Sequence, residues 1–141
     1  MTSFDDLRPF EMGFPGELRD TLTAAVLSGA KTTTTGLLKG YETEGEPVPR
    51  AGERVVLVDS DEQPLVVLEI TDVRVLRLAE VDLRHALDEG EGFASVAEWR
   101  SAHEGFWQSE QLREWLGDPD FTVDDDTLVV AERFRIVREA A

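Results

Sequence analysis

The sequence predicts an α+β fold: a small, strongly bent antiparallel or mixed sheet, able to close as a barrel, with helices packed around it. Three observations lead there. Apolar residues repeat at helical spacing over 15–28 and again over 96–107. The stretches 32–38, 55–58, 65–78 and 127–137 are instead rich in β-branched and apolar residues, as strands are. The resulting order is a helix, several strands, helices and a final strand, with no regular βαβ alternation, repeat or linker. A chain of 141 residues, 41% hydrophobic and 31% charged, builds one domain with a real core. Residues 1–13 read as an N-terminal arm, held to the body by aromatics such as Phe4 and Phe10, and 14–141 as a single domain.

Taken in order, Pro15 suits the first position of a helix whose apolar face is Leu18, Leu22, Ala25 and Val26. Gly29 suits the left-handed position that closes it. Thr32–Leu38 reads as a strand, and Gly40–Arg50, with two glycines and two prolines, as a loop. Val55–Val58 reads as a buried strand, Asp59–Pro64 as a hairpin connection, and Leu65–Leu78 as a long strand bent near Asp72. Ala79–Glu89 reads as a helix, followed by the acidic, glycine-flanked loop 88–94. Ser95 and Glu98 form a capping-box pattern ahead of a helix that aligns Val96, Trp99, His103 and Phe106. Leu112, Trp115 and Leu116 mark another short helix, closed by Gly117–Asp120. In the terminal strand Leu128, Val130, Phe134 and Ile136 share one side.

Composition excludes several chemistries. No cysteine is present, so disulfides, zinc–thiolate sites and thiol nucleophiles are out. No apolar run is long enough for a membrane span, and the first residues lack the pattern of a secretory signal, so the cytoplasm is the expected location. A net charge of −16 argues against a broad grip on nucleic acid. Two histidines without ligand spacing make structural zinc improbable, and nothing in the spacing points to a carboxylate-held Mg²⁺ or Mn²⁺.

Three groups of residues have chemical potential. The chain holds twelve arginines but two lysines, Lys31 and Lys39, both in or just after Gly29–Gly36. Lys, unlike Arg, can release its proton when buried. A neutral Lys31 near Thr34 would activate that hydroxyl; solvated cations at a helix end are the plainer alternative. Glu91, between Gly90 and Gly92, is a candidate proton donor, or simply part of a solvated acidic loop. The helix face of Trp99, Arg100 and His103 offers stacking and ion-pairing groups to a ligand, or packs as core. With Tyr41 and Arg50 of the preceding loop, these are the candidate substrate-binding residues. Glu69, inside the long strand, faces water or serves the site.

Gly29-Ala30-Lys31-Thr32-Thr33-Thr34 resembles the G-x-K-x-x-T signature of the ASCH domain family. Glu91-Gly92-Phe93, Glu98-Trp99-Arg100, His103, Phe106 and the strand around Glu132-Arg133-Phe134 are similar to the rest of its bacterial pattern, so the resemblance spans roughly 14–137. It implies a strongly bent PUA-like β-barrel whose cleft takes a nucleoside or single-stranded RNA. Small bacterial members are amidohydrolases that deacetylate N4-acetylcytidine through Lys, Thr and Glu, which fall here on Lys31, Thr34 and Glu91 and need no cofactor. Others resemble single-strand ribonucleases dependent on Mn²⁺ or Mg²⁺. The segment before Glu91 varies in length, so Glu89 and Glu69 are also eligible for the acid's role. The functional expectation is therefore an RNA- or nucleoside-acting hydrolase, with a non-catalytic RNA-binding or regulatory module as the alternative.

Overall fold

Val55–Val58 is buried at every position, as its unbroken apolar run predicts, and it sits inside the sheet between two partner strands. The computed structural model describes residues 6–138, so the expectation for Phe4 lies outside the described residues. The elements are β1 (Arg8–Phe10), α1 (Glu17–Ser28), β2 (Thr33–Leu37), α2 (Leu38–Glu44), β3 (Arg54–Val58), β4 (Pro64–Arg77), a 3₁₀ turn (Leu78–Glu80), α3 (Leu83–Asp88), α4 (Val96–Trp107), α5 (Glu110–Leu116) and β5 (Leu128–Ile136).

The five strands form one mixed sheet in the order β1-β3-β4-β5-β2. Among the described residues only the β1–β3 pairing is parallel. Strand β4 pairs β3 and β5, and its register with β5 shifts between Ile70 and Asp72, leaving Thr71 as an extra residue. That bulge sits where the sequence predicts a bend. Two cores flank the sheet. One joins α1 to the sheet through Val26, Met12, Leu57, Leu68, Ile70 and Phe134. The other joins α3–α5 to it through Ala86, Trp99, Trp107, Leu112, Leu116 and Val129.

Several expectations are corrected. Among the described residues the sheet is open, with β1 and β2 as its edges, rather than closed as a barrel. Residues of both edges instead line a cavity, so a cleft stands where a closing ladder would run. The arm is not irregular throughout, because Arg8–Phe10 pairs in register with Val55–Leu57. The loop expected from Gly40 begins as helix α2, closed by left-handed Gly45. Gly40 faces the Trp115 ring, at 3.4 Å from the position its Cβ would take, so packing against α5 overrides the glycine signal. The helix expected at 79–89 divides into the 3₁₀ turn and α3, because Asp82 caps a fresh start by accepting from the His85 amide. In β5, Val129, Val130 and Ala131 are all buried, since a central strand covered on both faces has no polar side, while Leu128 is exposed. Among the described residues no helix is long and apolar enough to cross a membrane.

Candidate functional site

Helix α1 ends as its sequence predicts. Gly29 adopts φ 87°, its amide bonds Val26 O at 3.0 Å, and the Lys31 amide bonds Ala25 O at 3.0 Å. The chain thus turns sharply and delivers Lys31 into the interior at the start of β2. Helix α3 docks on the same place: the Thr32 amide bonds Asp88 O at 2.8 Å and Thr33 Oγ1 donates to His85 O at 2.9 Å. Gly90 completes the contact. Its φ is 69°, and a Cβ there would run into the carbonyl of Ala30 and the amide of Lys31. Only glycine lets this loop lie against that backbone.

Lys31 is 2% exposed, and its Nζ lies 3.4 Å from Glu89 Oε1 and 3.3 Å from Glu91 Oε2. Glu89, 1% exposed, gathers four donors. Thr35 Oγ1 and Trp99 Nε1 each donate to its Oε2 at 2.7 Å, while His103 Nε2 at 3.2 Å and Lys31 Nζ face Oε1. The Thr35 hydroxyl spends its only proton on Glu89, so it accepts from His85 Nε2, 2.7 Å away. Burial holds His85 below its ordinary pKa, which suits that neutral donor role. His103 turns Nδ1 to Trp99 O at 2.8 Å, so both its nitrogens face oxygen atoms. Burial pushes the Glu89 carboxyl up, but the His103 hydrogen bond, the Lys31 and His103 charges and the Thr35 hydroxyl prevail and hold it well below the usual carboxylate range. Glu91 behaves oppositely. Burial outweighs the Lys31 charge, Glu89 adds repulsion and a shared hydrogen bond, and its pKa is raised.

A second acid lies in the same cavity, which has a volume of about 680 Å³. Glu132, 2% exposed in central strand β5, stands directly across from Thr34 in β2. Paired residues on neighbouring strands share a face, so the Thr34 and Glu132 side chains project together. Tyr41 OH lies 3.2 Å from each Glu132 oxygen. Burial raises the Glu132 pKa to about 7, against the Tyr41 hydrogen bond and the Arg8 charge. Burial and the Glu132 charge likewise push the Tyr41 phenol up. Side chains alternate along β2, so Thr34 points to the Glu132 face and Thr35 to the Glu89 face, and both line the cavity.

The family model of the ASCH domain matches residues 10–138, nearly the whole chain. The chain belongs to the ASCH domain family. Solved structures agree. A protein of Enterococcus faecalis V583, from the family DUF984, is 27% identical with a TM-score of 0.78, covering 92% of this chain and 76% of its own. An ASCH domain from Lactobacillus crispatus JV V101 is also 27% identical, with a TM-score of 0.75 over 92% of this chain and 78% of its own. A hypothetical protein at 14% identity and TM-score 0.54, covering 84% of this chain and 92% of its own, shares the fold alone. No curated protein matches the sequence significantly.

Within this ASCH domain the sequence-predicted residues separate into groups. Lys31, Thr34, Glu91, Tyr41 and His103 all line the cavity. No hydrogen bond joins Lys31 to Thr34 among the described residues, and the hydroxyl tied into the lysine's network belongs to Thr35. Trp99 is fully buried, lies outside the cavity lining and donates its Nε1–H to Glu89. Arg50 is exposed and outside the cavity lining. Arg100, expected to meet substrate, is held by Glu104 and Asp125, each at 2.6 Å, and is likewise outside the lining. Glu69 pairs with Arg135 and Arg54 on the sheet surface, away from the cavity. Lys39 pairs with Asp118 at 2.7 Å and does not share Lys31's role. Glu89, eligible from sequence as a substitute acid, is the hub of the network. Glu132, Thr35 and His85 were not among the predicted site residues. The available signal for Glu132 was an acid between Val130 and Phe134, at an inward position of an apolar strand. For Thr35 it was the two-residue strand period, which puts Thr35 with Thr33 and opposite Thr34.

Proposed function

We propose that this ASCH domain is an amidohydrolase that removes an acyl group from the exocyclic nitrogen of a cytidine-type nucleoside. The observation that carries the reading is the buried Lys31 amine, 3.3 Å from a Glu91 carboxyl of raised pKa, in a cavity that also presents Thr34. Passing one proton from Nζ to Glu91 Oε2 turns this ion pair into a neutral amine and a carboxylic acid, the base and acid the reaction needs. Thr34 Oγ then attacks the acyl carbonyl and gives its proton to Lys31. The C–N bond breaks, Glu91 protonates the departing amine, and water hydrolyses the resulting ester. Among the described residues no hydrogen bond engages the Thr34 hydroxyl, whereas Thr35's is committed to Glu89 and His85. This favours Thr34 as the nucleophile and Thr35 as a positioning residue. Glu89, already ionised and saturated with donors, keeps Lys31 in place.

Charge favours a nucleoside over an RNA strand. The lysine and arginine residues lining the cavity are Arg8, Arg19 and Lys31. Each is already paired with carboxylates, Arg8 with Glu46 and Glu53, Arg19 with Glu11 and Glu62. None is left over for a phosphate. The ribonuclease reading needs a divalent ion, and Glu89, Glu91 and His103 do present ligand atoms within 4.8 Å of one another. The donor set does not fit: the Lys31 ammonium contacts both carboxylates where an ion would bind them, and Glu89 has no acceptor left over.

The test is incubation with N4-acetylcytidine and, separately, with a labelled single-stranded RNA with and without Mn²⁺. Acetate release is expected, falling by about 10²–10⁴-fold in Lys31→Arg, which keeps the charge and loses the basicity. Mn²⁺-dependent strand cleavage that survives Lys31→Arg would replace this reading with the ribonuclease one. Binding without turnover would leave a recognition module.

A further inference from the structure

Glu89 and Glu132 are both buried carboxyls in one cavity, but they are provided for unequally. Glu89 meets four donors. Among the described residues Glu132 meets one, the Tyr41 hydroxyl, shared between its two oxygens at 3.2 Å. The nearby Arg8 guanidinium is engaged with Pro47 O and Glu53, each at 2.9 Å. A buried carboxyl faces a large cost when its hydrogen-bonding capacity goes unmet. This one lines a cavity open to a ligand, and its unmet capacity therefore points to a partner that the ligand brings.

We propose that Glu132, oriented by Tyr41, is a recognition subsite for the N–H-bearing edge of a neutral, planar heterocycle, of which the exocyclic amine edge of cytosine is the type. The aromatic rings of Tyr41, Phe93, Phe106 and Trp107 line the same cavity and suit a flat ligand. The absence of a spare cation among the lining residues disfavours a phosphorylated one. An ionised Glu132 accepts from the amine; a neutral one also donates to the adjacent ring nitrogen. Its burial places it between the two forms, with a pKa raised to about 7. Thr34 is its direct cross-strand neighbour, so an amine held on Glu132 carries its acyl carbonyl toward the Thr34 hydroxyl. Only this last orientation rests on the proposed reaction; the subsite itself does not.

The experiment is equilibrium binding, by calorimetry, of cytidine and of N4,N4-dimethylcytidine, which lacks the amine protons. The wild type is expected to prefer cytidine by at least about ten-fold. Glu132→Leu, shown by circular dichroism to be folded, is expected to lose the preference. Glu132→Gln, which keeps an acceptor beside a donor, is expected to retain it. Equal binding of the two nucleosides, no binding of either, or a preference that survives Glu132→Leu would overturn the subsite. If Glu132→Leu were unfolded, Tyr41→Phe and Glu132→Gln decide: an unchanged preference in Tyr41→Phe together with its loss in Glu132→Gln would overturn the arrangement, and the reverse would support it. Discrimination without acetate release from N4-acetylcytidine would keep the subsite and remove the amidohydrolase reading. Lys31-dependent release with no discrimination would do the opposite.

Discussion

Glu132 and Glu89 show at the residue scale how surroundings, not residue type, set proton affinity. Glu89 collects donors and cations and is held ionised; Glu132, nearly alone, is raised to about 7. The consequence for stability has a definite sign. Below the ordinary glutamate pKa of 4.5 Glu132 is protonated whether folded or unfolded and contributes no pH dependence. Between 4.5 and about 7 the unfolded chain ionises first, so stability falls as pH rises through that window and levels off above it. The shift corresponds to on the order of 3 kcal/mol. Glu132→Gln should therefore raise the melting temperature at pH 8 relative to the wild type and give little gain near pH 4. Thermal melts across this range check it, and a gain of equal size at every pH would contradict the assignment. Glu89 has the opposite sign: its contribution is present above the ordinary glutamate pKa and is lost as acid protonates it.

At the element scale, the site depends on how α3 and the loop after it meet the junction of α1 and β2. Thr32 and Thr33 bind the end of α3 by side chain and backbone, and Gly90 allows the next turn to touch the Ala30–Lys31 backbone. Gly90 and Gly92 make a controlled comparison. Both have positive φ, at 69° and 87°, but a Cβ on Gly92 would meet open space. Gly92→Ala should cost about 1 kcal/mol from backbone strain alone, whereas Gly90→Ala adds a clash and should cost about 3 kcal/mol. Urea denaturation of the two variants measures the difference, and equal costs would show that the loop relaxes freely. Gly90→Ala should also displace Glu91 from Lys31 and so remove the acetate release expected of the proposed reaction. The edges of the sheet matter in the same way. The three residues of β1 and five of β2 remain apart, and residues of both line the cavity.

At the scale of the whole molecule, a net charge of −16 surrounds a cavity whose cations are all paired. Such a protein repels a polyanion, and salt screens the repulsion. Binding of a single-stranded RNA oligonucleotide should not weaken between about 50 and about 300 mM NaCl, contrary to the counterion-release slope of phosphate-gripping proteins. Binding of neutral cytidine should change less than about two-fold over the same range. Fluorescence anisotropy for the oligonucleotide and calorimetry for the nucleoside test this. A steep loss of RNA affinity with salt would reveal a phosphate-binding surface and favour the strand-binding alternative.

Local periodicity and turn chemistry determined most of the elements before any coordinates. The α1 face, its Gly29 stop, the Ser95 cap and the bend in β4 depend on residues close together in sequence, so the sequence pattern displays them. The same holds for the G-x-K-x-x-T signature, which marked Lys31 and Thr34. What joins Lys31 to Glu89 and Glu91, or Thr34 to Glu132, are contacts spanning 58, 60 and 98 positions, which no local pattern encodes. Tertiary structure alone decided that Glu89 is the saturated hub, that Arg50 and Arg100 stay outside, and that the sheet remains open around a cavity. Each of those outcomes depends on which donors, charges and strand edges the fold brings near a given side chain.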